Sequence, residues 1–286
     1  MNPHLLLNRV AVLATMHQKE QVMAPILERE LGVKILVPAD LDTDSFGTFT
    51  REVKRLGTQI EAVRLKATKA LEIAGETLAF ASEGTFGPHP GMPYLPANRE
   101  IVILLDIANN LELIGEYFSV ETNYSHQLVS CTEEAQVFAK KVGFPEHALV
   151  IVVGDSTKDH AEIVKGIVTE KQLFDVVNAA LKKSSRGQVH VETDMRAMYN
   201  PTRMKNIENA TLDLVKKFYH FCPECGWPGF EVAERKIGLP CGLCHFPTQL
   251  VRSQIYQCQN CSYTKEELFP NGRETAAPSQ CQYCNP

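Results

Sequence analysis

The chain has 286 residues, 44% of them hydrophobic, a length and a share that suit one large domain or a medium domain with an appendage around a proper core. Its formal net charge of −5 excludes broad electrostatic capture of nucleic acid and leaves room only for a local basic patch. No apolar run approaches the roughly 20 residues of a membrane helix, and Asn8 and Arg9 split the only signal-like stretch, so a cytoplasmic protein with no membrane partner is expected.

From the N-terminus, "RVAVLAT" reads as a strand. "KEQVMAPILEREL" repeats apolar residues at helical spacing through Val22, Ile26, Leu27 and Leu31, and Gly32 stops it. "VKILVP" is a second strand. "FTREVKRLGTQIEAVRLKATKALEIAG" reads as one long helix, or two broken at Gly57, with Thr48 or Thr50 as its cap. "ETLAFAS" is a third strand that stops on Glu83. There "ASEGTFGPHPGMPY" supplies a rigid exit with more glycine and proline than a turn requires.

The pattern then changes. "REIVILLDIANNLELIGEYFSVETN" reads as two strands joined at Asn109-Asn110. "SCTEEAQVFAKKVG" opens with a capping box from Ser130 to Glu133 and stops on Gly143. "HALVIVVG" and "EIVKGI" are strands, "TEKQLFDVVNAALKK" is a helix capped by Thr169 with Gln172, and "QVHVETDM" is a final strand. Asn200 and Pro201 then start a helix whose stripe of Met204, Ile207, Thr211, Leu214 and Phe218 must pack against something. A hairpin among βα units makes the fold class α/β, a mixed sheet with flanking helices.

Cys131 stands alone and reads as a small buried side chain. The other eight cysteines form four CxxC pairs after Phe221: Cys222 with Cys225, Cys241 with Cys244, Cys258 with Cys261 and Cys281 with Cys284. The gaps between pairs are 15, 13 and 19 residues. Two such knuckles complete a tetrahedral thiolate site of the kind zinc prefers. Sequential pairing, first with second and third with fourth, is the favoured reading, with crossed or nested pairings open. The chain thus divides into an α/β ligand-binding or catalytic domain, 1–218, and a small C-terminal region of tandem zinc ribbons, 219–286. Four thiolates leave no open position on the metal, so both zinc ions are expected to be structural in a segment poor in large apolar side chains. The alternative use is a contact with RNA or a protein partner, for which Arg252, Lys265, Trp227, Tyr256 and Tyr263 are available.

Four polar stretches fall at strand ends, where open α/β sheets bind ligands. "ATMHQKE" puts Thr15, His17 and Lys19 before a helix, whose free N–H groups and nearby lysine suit phosphate. "DLDTDSFGTFTRE" brings Asp40, Asp42, Asp44 and Glu52, candidates for magnesium as well as for turn chemistry. In the third stretch Glu83 is a metal ligand or base, and His89, held between two prolines, is a ligand contact. In "ETDMRAMYNPTRMKN", Asp194 and Arg196 end a strand while Arg203 sits in a first helical turn. A cation is unfavourable there unless an anion lies beside it, so a second anion site is expected.

The motifs "ATMHQKE", "DTDSFGTF", "ASEGTFGPHP", "TDMRAMYNPTRM" and "CPEC…GLPCGLC" resemble, over nearly the whole chain, an uncharacterised bacterial family, a domain of unknown function. "ATMHQK", "GTFTRE", "LKATKA", "ASEG" and "NPTRM" are also similar to segments of the inosine triphosphate pyrophosphatases and their Maf-like relatives. That second resemblance implies that Lys19, Lys66 or Lys69, and Arg203 meet phosphates, and that Glu83 with Glu52 or Asp44 holds magnesium. The function expected is magnesium-dependent hydrolysis of a nucleotide or other phosphorylated small molecule. Lys19, Lys66, Arg196 and Arg203 would clamp phosphate, and His17 and His89 are candidates for proton transfer. A non-enzymatic binding module and a nucleic-acid-modifying enzyme are the alternatives.

Overall fold

A computed structural model describes residues 5–43, 47, 53, 55, 57–153 and 162–286. The chain forms two compact units, one spanning Leu6–Val215 and the other made chiefly of Lys216–Pro286.

In the larger unit, β1 (Val10–Ala14), α1 (Glu20–Leu31), β2 (Lys34–Leu36), α2 (Gln59–Ala74), β3 (Leu78–His89), β4 (Met92–Asp106) and β5 (Leu111–Ser119) follow in order. They build a mixed sheet ordered β2-β1-β3-β4-β5, with β1 parallel to both neighbours and β3, β4 and β5 antiparallel. Helix α1 buries Met23, Ile26, Leu27 and Leu31, one face at helical spacing. Helix α2 begins after Gly57 with a full capping box between Thr58 and Glu61. The expected caps Thr48 and Thr50 lie outside the described residues. Val63, Ala67 and Ala70 of α2 pack on Val12, Ala79, Ala81 and Ile103 of the sheet, small residues that bring helix and strands close.

The expected exit at Glu83 is not an exit. Strand β3 continues through "EGTFGPH" to His89 and turns over Pro90-Gly91 into β4. Proline and glycine are tolerated because of where the neighbours stop. Pairing with β1 ends at Ala81, and β5 begins to pair with β4 only at Asn98, so Pro88 and its partner Pro96 lie outside the wider sheet.

The remaining strands form a second sheet rather than extending the first. β6 (His126–Val129), α3 (Thr132–Lys141), β7 (Leu149–Val153), β8 (Glu162–Ile167), α4 (Glu170–Lys183) and β9 (Val189–Thr193) give the antiparallel order β6-β9-β7-β8. Val129, Phe138, Leu149, Ile151, Leu173, Val177, Val189 and Val191 form its core with α3 and α4. Three of the four residues of β6 are exposed, so no period marked it in the sequence. The Ser130–Glu133 capping box is also corrected: Cys131 is the N-cap, which makes Glu134 the third helical residue, and its carboxylate accepts from Ser130 N. Thr169 and Gln172 cap α4 as expected.

Helix α5 (Pro201–Phe218) starts where Asn200 Oδ1 accepts from Arg203 N at 2.9 Å. It lies against β5 at Gly115, where a Cβ would come within 2.3 Å of Ala210 O and 2.5 Å of Leu214 N.

The smaller unit is a three-stranded antiparallel sheet of β10 (Glu231–Ile237), β11 (Val251–Gln257) and β12 (Thr264–Leu268). Its largest apolar feature is the cluster of Phe230 and the partly buried Trp227, Tyr256 and Tyr263 around Cys222 and Cys258. Among the described residues no helix is long and apolar enough to cross a membrane.

The Gly115 contact yields a direct test. Gly115→Val forces backbone apart where no side chain can yield, and roughly 3 kcal/mol of stability is expected to be lost. A thermal midpoint unchanged from that of the natural chain would contradict this packing.

Candidate functional site

A cavity of about 400 Å³ lies in the larger unit, beside the stretch of β3 that continues past the end of β1. Its wall carries five cations, Arg55, Lys66, Lys165, Arg196 and Arg203, together with the amine of Lys19, against the carboxylates Glu83, Glu192 and Asp194. Even with Glu100 counted behind the wall, positive charge is in excess among the described residues, in a chain whose net charge is −5.

Glu83 organises one side. One carboxylate oxygen accepts from Arg55 Nη2 at 2.6 Å and the other from Lys66 Nζ, which reaches it from α2. Arg55 also donates to Thr85 Oγ1 and Gly84 O. Burial alone would raise the Glu83 pKa, but Lys66, Lys19 and Arg55 outweigh it and hold the carboxyl below its usual value.

On the adjacent strand Glu100 is wholly buried, and Arg203 of α5, only 2% exposed, donates to it from Nε at 2.8 Å. Arg203 Nη1 donates to Met195 O. This pair lies against the backbone of Gly84, where a Cβ would fall 2.4 Å from Glu100 Oε1 and 2.6 Å from Arg203 Nη2. The glycine after Glu83 is therefore a steric requirement of the ion pair.

Lys19 feels the charge of both carboxylates without an ion pair to either among the described residues. It is 6% exposed and donates to Ser82 Oγ at 2.9 Å and Ser82 O at 3.3 Å. Desolvation, aided by repulsion from Arg203 and Lys66 and opposed by Glu100 and Glu83, brings its pKa down to about 7.

The second sheet supplies the other wall. Alternation along β9 turns Val189 and Val191 into the core and leaves His190 and Glu192 on the opposite face, with His126 paired beside Glu192. His190 Nδ1 is buried without a hydrogen-bond partner among the described residues. Just past the strand, Asp194 grips Arg196 in a two-point pair and also accepts from Gly166 N. Phe86 and Tyr124 add an aromatic pair to the rim, their centroids 5.7 Å apart.

Of the expected site residues, His17, Lys19, Lys66, Glu83, Asp194, Arg196 and Arg203 all meet on this one cavity. Thr15 is buried just off its wall, accepting from His17 N. His89 is elsewhere: at the hairpin tip its Nδ1 accepts from Gly91 N and Met92 N, and its ring meets Phe118 edge-on. Lys69 is exposed and pairs with Glu72. Asp44 and Glu52 lie outside the described residues. The charge of Arg203 in that first turn is met by the chain's own Glu100, so its position does not by itself require an external anion. A magnesium ion does not fit Glu83 as it stands, since both its oxygens are already held by cations. Among the described residues no cluster of three or more carboxylates or histidines forms near it. Arg55, Glu100, His126, Lys165, His190 and Glu192 were not anticipated. Glu100 carried a signal: like Asp106 at the strand's end, it is an acid in step with the buried Val102 and Leu104.

In the smaller unit the cysteines gather as Cys222, Cys225, Cys258 and Cys261, and as Cys241, Cys244, Cys281 and Cys284. The pairing is crossed, not sequential, and strand register is the cause. Glu231 pairs with Gln257, which puts the first and third knuckles at one end of the sheet; Ile237 pairs with Val251, which sends the second to the other end. A bridge between Cys241 and Ala276 brings the fourth there. Sulfur separations of 3.6 to 3.9 Å are too long for disulfides. They match the roughly 3.8 Å between ligands of a tetrahedral ion with 2.3 Å metal–sulfur bonds. Leu243 N, Asn260 N and Cys261 N donate to ligand sulfurs, as a thiolate knuckle requires. Each tetrad can hold one metal ion.

A family model described as "Domain of unknown function (DUF6671)" matches residues 66–286. The chain belongs to that family. The match takes in Lys66, Glu83, Glu100, Arg203 and the eight ligand cysteines, and leaves His17, Lys19 and Arg55 upstream of it. No curated protein matches this DUF6671 member.

The buried Lys19 has a sign-definite consequence. Its folded pKa of about 7 lies below the value of an exposed lysine, so between the two the unfolded state holds the extra proton. The cost to stability is full below pH 7 and disappears as pH rises towards 10. Lys19→Met should therefore stabilise the unit, by roughly 2–3 kcal/mol more at pH 6 than at pH 9. Denaturant melts of both chains at the two pH values check this; an equal or opposite difference would contradict it.

Proposed function

We propose that the larger unit is a hydrolase acting on a nucleotide or other phosphorylated small molecule, and that the two cysteine tetrads hold structural zinc ions. The observation that carries the reading is the cation excess, among the described residues, on the cavity wall of an acidic protein. Phosphoryl transfer asks a protein mainly for positioning and for charge fixed around the transferring oxygens. Lys66 and Arg55, pinned by Glu83, and Arg203, pinned by Glu100, are cations whose orientation is set before a ligand arrives. Such preorganised donors need no rearrangement when negative charge develops. The Phe86–Tyr124 pair offers a face for a nucleobase. A cytoplasmic location, where thiols stay reduced, suits two all-cysteine sites.

The smaller unit also supports a reading as a docking surface for RNA or a protein partner. Phe246 and Tyr283 are exposed yet stacked in parallel at 5.1 Å beside the second tetrad, a platform of the kind that single-stranded bases use.

A panel of nucleotides and sugar phosphates, read by release of phosphate or pyrophosphate with and without magnesium, tests the enzyme. Turnover is expected for at least one member, with Arg196→Met, at the more open wall, lowering kcat/KM by about tenfold to a hundredfold. Absence of turnover across the panel would defeat the hydrolase and favour the binding reading. Metal analysis should return two zinc ions per chain, and chelation should unfold the smaller unit. One ion or none would contradict the tetrads.

A further inference from the structure

Among the described residues of the cavity wall, Lys19 is a buried amine that forms no ion pair and that the phosphate clamp does not use. We infer that Lys19 is the proton acceptor of this site: its ε-amine takes the proton of the water that attacks the bound phosphoryl group. The inference rests on the hydrolase reading and adds to it the identity of the base.

The geometry counts hydrogens. A neutral amine has two, and Lys19 Nζ has two acceptors, Ser82 Oγ and Ser82 O, both on one residue of β3. With both hydrogens held there, the lone pair is left over, on a side chain that forms part of the cavity wall. An ammonium in the same place would point its third hydrogen into the cavity, where water or a bound anion is the acceptor, so the position that gains the proton is the one that faces the substrate. The groups around it are specified by every packed element. Lys66 of α2 and Arg203 of α5 repel an added proton, while Glu83 of β3 and Glu100 of β4 attract one, and each of these acids is itself paired with a cation. His17, two residues earlier, lines the same cavity. Buried lysines beside other cations are the ones that serve as bases or nucleophiles near neutral pH.

In the step itself, the water oxygen forms a bond to phosphorus and the bridging P–O bond breaks. The water proton moves to Lys19 Nζ, and the leaving oxygen departs as an anion facing the clamp. Lys19 then returns its proton to solvent as product leaves.

The test uses the full natural chain and needs no knowledge of the substrate. Pyridoxal 5′-phosphate, a phosphorylated aldehyde, forms an imine only with an unprotonated amine, and borohydride fixes the adduct for peptide mapping. At pH 7 an exposed lysine is unprotonated about a thousand times less often than a group with a pKa of about 7. Lys19 should therefore be labelled first, and inorganic phosphate should protect it. Labelling confined to surface lysines would overturn the inference. Labelling of Lys19 without phosphate protection would support the free amine and contradict the phosphate cavity instead. With a substrate from the panel, kcat/KM should rise with pH through a midpoint near 7. Lys19→Arg, which keeps the charge but accepts no proton, should lose that limb and at least a hundredfold in rate. An unaltered limb in Lys19→Arg would also overturn it.

Discussion

Two buried carboxylates on neighbouring strands, Glu83 and Glu100, hold the larger unit's site in place. Each draws in cations from elements far apart in the chain: Lys66 from α2 and Arg55 for the first, Arg203 from α5 for the second. Buried charges are tolerable only when paired and hydrogen-bonded, so these acids determine where two helices can end their packing. They also explain local features that look like punctuation in the sequence. Gly84 is there because the Glu100–Arg203 pair occupies the space of a Cβ, and β1 stops at Ala14, so β3 continues past it beside the cavity.

The same arrangement leaves Lys19 as the odd member. Its neighbours are already neutralised in pairs, so it receives the repulsion of two cations without an acid of its own. A site of fixed cations with one amine that can lose its proton is an electrostatic design with a chemical direction: anions enter, and a proton has somewhere to go. The smaller unit solves a different problem. With little apolar surface to bury, it relies on two four-thiolate clusters at opposite ends of a three-stranded sheet, and the antiparallel register makes them interleave.

Much of this was legible from residue patterns. The cap at Asn200-Pro201, the Thr169–Gln172 box and the Asn109-Asn110 hairpin are local chemistry, and local chemistry was readable. So was the physical demand at Arg203, a cation in a first helical turn that requires an anion. What the pattern could not say was that the anion is Glu100, 103 residues away in the chain. Pairing across such distances depends on strand register and is invisible to spacing. The crossed cysteine tetrads escaped for the same reason, since sequential and crossed pairings have equally plausible spacings until β10 and β11 are aligned. The glycine- and proline-rich stretch misled because its tolerance comes from strands that stop beside it, not from its own residues.

The claim on which the functional account stands is that this cavity, and not another surface, receives a phosphoryl-like anion. A crystal structure of the full chain with tungstate, a heavy tetrahedral oxyanion located by its anomalous signal, tests it most directly. The account predicts a peak within hydrogen-bonding reach of at least two of Lys66, Arg55, Arg196 and Arg203. Tungstate bound only outside the cavity, with no peak within reach of these side chains, would contradict it.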